Sequence, residues 1–229
     1  MNATIASALL LLPLTAVTAA AQQVISDRVA MSMPSRYEQP ACELKSGHFK
    51  VSSGATYLKT GIETDIPENK ARVWANGRKV LTEAIEQNGQ AQNPAAWYYL
   101  GRIYFHEGDV AGADSALARA EKGAPECAQD ILNYRRNAWV SLIQAGQKFE
   151  EQQNPDSAAA MYRQANRVYQ RSGIGYYQLA SLLNEQGQPD SAAAYFGLAV
   201  AGAEGSKDTT ELRIRSRSAF NQGAILLNA

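Results

Sequence analysis

The sequence predicts an all-α solenoid of stacked antiparallel helical hairpins, on three observations. Pro155-Asp156-Ser157-Ala158-Ala159-Ala160 recurs verbatim as Pro189-Asp190-Ser191-Ala192-Ala193-Ala194, 34 residues later. An aromatic (Tyr162, Phe196) and an alanine (Ala165, Ala199) follow in the same step. Apolar residues elsewhere recur at helical spacing, and no stretch alternates as a half-buried strand would. A repeat of this length is one supersecondary unit, which buries its apolar face only by stacking on its neighbours.

Composition excludes several alternatives. The 229 residues carry 22 Lys+Arg against 22 Asp+Glu, and a net charge of zero argues against a nucleic-acid partner or a polybasic membrane surface. Eleven Tyr and three Trp do not suit a disordered chain. Two Cys cannot build a disulfide-stapled miniature fold or a four-ligand zinc site.

Met1 to Ala21 contains no charged side chain. Its apolar centre, Leu9-Leu10-Leu11-Leu12-Pro13-Leu14, precedes a run of small residues ending in Ala19-Ala20-Ala21. This reads as a secretory signal peptide (1–21) cleaved after Ala21, which predicts an exported, periplasmic or extracellular protein. The missing Lys or Arg before the apolar run leaves an uncleaved anchor as the alternative, although Thr, Ser and Pro interrupt such a span. After cleavage no integral membrane span is expected. Residues 22–47, with Pro34, Ser35, Pro40 and no helical period, are expected to begin as a mobile arm, which Met31, Met33 and Tyr37 could stick to the body.

The solenoid is placed at 48–229. Its first hairpin, about 48–90, has Val51, Ala55, Leu58 and Ile62 on one helix and Val73, Val80, Leu81, Ala84 and Ile85 on the next, broken at Asp65-Ile66-Pro67. The second, 94–125, carries Trp97, Leu100, Gly101, Tyr104, Gly108, Ala113, Leu117, Ala120 and Pro125. That register resembles the tetratricopeptide-repeat consensus, well over about 94–204 and loosely over 48–229. The resemblance implies a right-handed superhelix. Small residues at Gly101, Ala113 and Ala120 let paired helices approach, and Trp97, Leu100, Tyr104 and Leu117 fill the layer between them. Gly108 suits a left-handed turn, Asp109 a helix cap and Pro125 a helix stop.

The third hairpin, 126–172, carries Leu142, Gly146, Phe149, Ala158, Tyr162 and Ala165, with Asn154 as cap before Pro155. Ala113 and Ala158 are 45 positions apart, 11 more than the period, and the surplus around 128–138 contains neither Gly nor Pro. It predicts one long first helix over about 126–151. The fourth hairpin, 173–206, carries Tyr176, Leu179, Ala180, Leu183, Gly187, Ala192, Phe196 and Ala199. A partial fifth, 207–229, offers a helix from about 213 with Asn221-x-Gly223 at its middle. Its partner helix is absent, and its apolar end raises the alternative of a longer protein whose effector or catalytic region lies beyond residue 229.

The motif set contains no phosphate-binding Gly-rich loop, no His-Glu-x-x-His and no Gly-x-Ser-x-Gly. No catalytic residue, cofactor or metal site is therefore expected. His48 and His106 fall in different repeats, and Glu150-Glu151 reads as a solvated helix end. Cys42 and Cys127 lie in elements that stacking would hold beyond the roughly 7 Å Cα limit for a bridge. Only an arm folded back would join them, and export would permit it.

The resemblance implies a protein or peptide partner in a concave groove lined by first helices. By that analogy the groove residues are Tyr98, Arg102, Phe105 and His106, then Ile143 and Gln147 with Glu150, then Tyr177, Ser181 and Asn184. Rings would bury a peptide's apolar side chains and Arg102 would pair a carboxylate. Packing between repeats is an equal reading of Tyr98 and Tyr177. The Lys and Asn set of the family's carboxylate-clamp members is missing, so chaperone-tail recognition is not implied. An architectural protein self-associating through its solenoid ends is the remaining alternative.

Overall fold

A computed structural model describes residues 19–228. Residues 1–18, which carry most of the expected signal peptide, and Ala229 lie outside the described residues. Ten α-helices and no strand occur among those described: α1 (Ala19–Ser32), α2 (Phe49–Glu63), α3 (Pro67–Gln87), α4 (Pro94–His106), α5 (Val110–Gly123), α6 (Ala128–Glu151), α7 (Pro155–Val168), α8 (Ile174–Glu185), α9 (Pro189–Gly202) and α10 (Thr209–Leu227). None is long and apolar enough to cross a membrane.

The helices pair as α2/α3, α4/α5, α6/α7 and α8/α9, and α10 packs on α9. Their ends follow local chemistry. Asn93, Asp109 and Asn154 accept hydrogen bonds from the backbone N–H of Ala95, Gly112 and Ser157 at 3.0, 2.9 and 3.1 Å, covering donors a helix start leaves free. Proline opens α3, α4, α7 and α9, where its missing N–H is not needed. Gly108 sits at φ 75°, the left-handed turn its position predicts. Pro125 does more than stop α5: it opens a 3₁₀ turn, Pro125–Cys127, that leads into α6.

Close helix approach rests on missing side chains. A Cβ on Gly101 would lie 2.6 Å from Leu117 of α5, and one on Gly146 or Gly54 would run into Tyr162 of α7 or Leu81 of α3. Leu100, Ala113, Ala120, Ala158, Ala165, Leu179, Ala180, Ala192, Phe196 and Ala199 are all buried in the same seams. Trp97 departs from expectation. It is only half-buried, its indole N–H donates to the Ala91 carbonyl at 2.7 Å, and Arg119 covers its ring at 4.3 Å.

The array is uneven at one junction. α5 packs on α6 far more lightly than α3 packs on α4 or α7 on α8. The 11 surplus residues lengthen α6 there, as the sequence predicts, and Arg135 ties the junction together by bonding Asp114, the Asp114 carbonyl (3.3 Å) and the Val168 carbonyl (3.3 Å).

The N-terminal arm is not free. Residues 19–32 form α1, which lies against α6, α4 and α7 with Ile25 and Val29 fully buried. Ser141 of α6 donates to the Arg28 carbonyl at 2.9 Å, and Gly108 is small where the Ser26 backbone passes. Met33 is buried too, while Met31 stays exposed. Residues 22–47 have no helical period as a whole because they divide into a short helix and an extended stretch. Ile25 and Val29 nevertheless share one face of the helix, and buried Met33 follows just past its end.

Candidate functional site

Tyr98, Arg102 and Phe105 recur at i, i+4 and i+7 on α4, so they share a face. The sequence expects that face to line an open groove, yet all three are completely buried. Residues 34–47 lie across it. Arg102 Nη1 donates to the Glu38 carbonyl at 3.0 Å, and its guanidinium carbon stands 5.3 Å from the Tyr37 ring, 5.6 Å from Tyr98 and 4.7 Å from Tyr134. Asn93 Nδ2 donates to the Ser46 carbonyl at 2.6 Å. Cys42 and Cys127 are joined by a disulfide with Cα atoms 5.1 Å apart, so the arm does fold back and the distance objection drawn from stacking fails.

Arg102 is thus a buried cation with no carboxylate ion-paired to it among the described residues. Three ring faces stabilise it, while Nε and Nη2 find no acceptor among the described residues. Burial drives the Tyr98 hydroxyl pKa upward, against the pull of Arg102, and Tyr98 donates to Asp130. Tyr134 is likewise pushed up by burial, to about 12. Both hydroxyls remain neutral. His106 stacks on Trp74 at 5.1 Å between centroids; burial first, then Arg102 and Lys70, lower its pKa to about 3. A neutral, enclosed imidazole is neither a groove ligand nor a poised base.

The other expected groove residues divide. Ile143 is buried beneath the start of α8, where a Cβ on Gly175 would meet it at 3.0 Å, so it fills an inter-repeat seam. Gln147 and Asn184 are exposed, and Glu150, Tyr177 and Ser181 are half-buried. Tyr177 leans on Phe196 with ring centroids 5.8 Å apart, and Glu150 accepts from the Tyr162 hydroxyl at 2.6 Å. Ser181 and Asn184 join Phe196, Asn221 and Ile225 around a cleft of about 260 Å³ between α8, α9 and α10. The open stretch of the predicted groove therefore runs from Gln147 to α10, and the stretch at α4 is closed. No group of three or more His, Cys, Asp or Glu among the described residues is placed to hold a metal.

A family model described as Tetratricopeptide repeat matches residues 70–128 and 143–207, together more than half of the chain. The chain belongs to the tetratricopeptide-repeat family. Tetratricopeptide repeats (TPRs) generally mediate protein–protein interaction, and this TPR chain shares that framework. A crystal structure of a thermophilic TPR protein from Thermus thermophilus is 20% identical, covers 73% of this chain and 98% of its own, and superposes with a TM-score of 0.31. No curated protein matches. The family match begins at residue 70, so α1, residues 34–47 and the closure they impose on α4 belong to this TPR chain outside the matched segments. Glu38, Asp130 and Tyr134 carried no site signal in the sequence, and Tyr37 only that of an apolar contact, because what joins them is a chain reversal rather than a spacing.

Proposed function

We propose that this TPR protein is an exported, non-catalytic scaffold that binds a polypeptide partner along Gln147, Tyr177, Ser181 and Asn184 and the adjoining face of α10. The carrying observation is the cleft between α8, α9 and α10, where first-helix residues of the predicted groove stay accessible. It combines apolar surface (Ala224, Ile225) with amide and hydroxyl groups (Asn184, Asn221, Ser181), a mixture suited to a polypeptide's alternating apolar and peptide groups. Export is supported by the uncharged apolar run before Ala21 and by the disulfide, a bond that persists in oxidising compartments.

Capture of partners from an envelope extract, followed by purification of the captured protein, tests this. Tyr177→Ala/Asn184→Ala should weaken binding of the purified partner at least tenfold, and unchanged binding removes the cleft as the site. N-terminal sequencing of exported material should begin at Gln22; a mature chain beginning at Met1 rejects the cleaved signal. Self-association through α10 is the second reading, favoured by Phe220 and Leu227, which are 75% and 88% exposed. Concentration-dependent sedimentation that Phe220→Ser/Leu227→Ser abolishes would establish it.

A further inference from the structure

Residues 34–47 are seated on the α4 face in the manner of a bound peptide. None of them is buried, while the groove side chains Tyr98 and Arg102 beneath are enclosed. From Pro40 onward, inward residues alternate with outward ones: Pro40, Cys42, Leu44 and Ser46 are half-buried, whereas Ala41, Glu43, Lys45 and Gly47 are exposed. That period of two is the signature of an extended chain lying on a surface. No residue in 34–47 makes a backbone–backbone hydrogen bond to another described residue. Side chains of α4 and its N-cap hold it by two carbonyls, Glu38 to Arg102 and Ser46 to Asn93. Tyr37 over Arg102 and Leu44 against the core add to this hold, and the Cys42–Cys127 bond adds the constraint that keeps a peptide in trans from competing for the face.

We propose that residues 34–47 are an internal ligand, locked by the disulfide into a peptide site that opens on reduction. The site then accepts, in trans, an extended polypeptide with an aromatic side chain one residue ahead of the carbonyl that Arg102 binds. The inference rests on the reading that first-helix faces of this chain take polypeptide. Opening is thiol–disulfide exchange with a dithiol: its thiolate attacks one sulfur, the other leaves as thiolate, and the second thiol closes the reductant's own disulfide. Two protein thiols result. Because α1 remains docked on α6 and α2 on α3, the segment peels away as a loop pinned at both ends.

The test uses the full chain oxidised, treated with dithiothreitol, and as Cys42→Ser/Cys127→Ser. The probe is a fluorescent synthetic peptide of residues 34–47 carrying Cys42→Ser, with a second version bearing Tyr37→Ala. The reduced and double-Ser proteins should bind the first peptide at least tenfold more tightly than the oxidised protein does, and at least tenfold more tightly than the Tyr37→Ala peptide. Trypsin should cut after Arg36 and Lys45 only once the bond is broken, with helical circular dichroism retained. Absence of peptide binding by the reduced protein overturns the inference, as does loss of helix on reduction, which would make the bond a support of the fold. The Tyr177 end lies outside the segment's footprint. Failure here therefore leaves the proposed partner surface standing, and failure there leaves this site to be judged alone.

Discussion

At the scale of single residues, one absent methyl group sets how closely paired helices approach. Gly101 faces Leu117 at a distance a Cβ cannot share, with the Leu117 backbone nitrogen 3.3 Å from the same point. Gly223, at the matching place on α10, faces nothing within 4 Å. Gly101→Ala should therefore destabilise the protein by about 1–3 kcal/mol through overpacking. Gly223→Ala should stabilise it by about 0.5–1 kcal/mol through helix propensity alone. Urea denaturation of the two variants checks the opposite signs. His106 gives a pH prediction. Its folded pKa near 3 lies below the ordinary value of about 6.5. Between those values the unfolded chain binds a proton that the folded chain refuses, so stability falls as pH drops through that window. His106→Phe, which retains a ring on Trp74, should lose less of its melting temperature than wild type between pH 6.5 and 4. Parallel decline would show that another group is responsible.

At the scale of elements, the last helix is joined to the array by more than apolar contact. Glu211 of α10 is buried, and its carboxylate accepts from Ser172 Oγ at 2.6 Å and from the Gly173 backbone N–H at 2.9 Å, where α8 begins. A carboxylate at a helix N-terminus meets free N–H groups and the positive end of the dipole. Glu211→Ala should cost about 1–3 kcal/mol, and Glu211→Gln less, because the amide retains one acceptor. Hydrogen exchange in the first turn of α8 should accelerate in both; unchanged exchange there would mean that the contact does not fasten α10 to α8. α6 shows the converse, an element whose extra length weakens a neighbour contact. The insertion keeps α5 off α6, and α1 with residues 34–47 occupies the α4 side of the same junction.

At the scale of the whole molecule, each hairpin of a solenoid leans only on its neighbours, so stability need not be uniform along it. The disulfide joins residues 85 apart and encloses α2 to α5, which by loop-closure entropy adds roughly 4–5 kcal/mol to that half. No covalent tie reaches α8 to α10. Native-state hydrogen exchange should therefore be slowest in α2–α5 and fastest in α8–α10, with the difference shrinking after reduction. Uniform exchange along the chain would show that the array unfolds as a single unit.

Local spacing was enough to read the repeats. The Pro-Asp-Ser-Ala-Ala-Ala echo, the Trp97-to-Pro125 register and the caps Asn154 and Asp109 depend on neighbours within one hairpin, and the hairpins form where those residues predict. Gln147, Ser181 and Asn184, first-helix positions that stay accessible, were legible in the same way. Tyr98, Arg102, Phe105 and His106 carry the right spacing for a groove, but spacing cannot say what covers a face. At Arg102 that was decided by residues 34–47, whose Glu38 meets it from 64 positions upstream, and by a disulfide between cysteines that no repeat rule brings together, while Trp74 of α3 covers His106. The sequence by itself determined the family, the hairpins and the identity of their first-helix faces, because each follows from short-range periodicity. Only the tertiary structure decided which of those faces is open, because that depends on a long-range return of the chain, held by one covalent bond and a buried arginine.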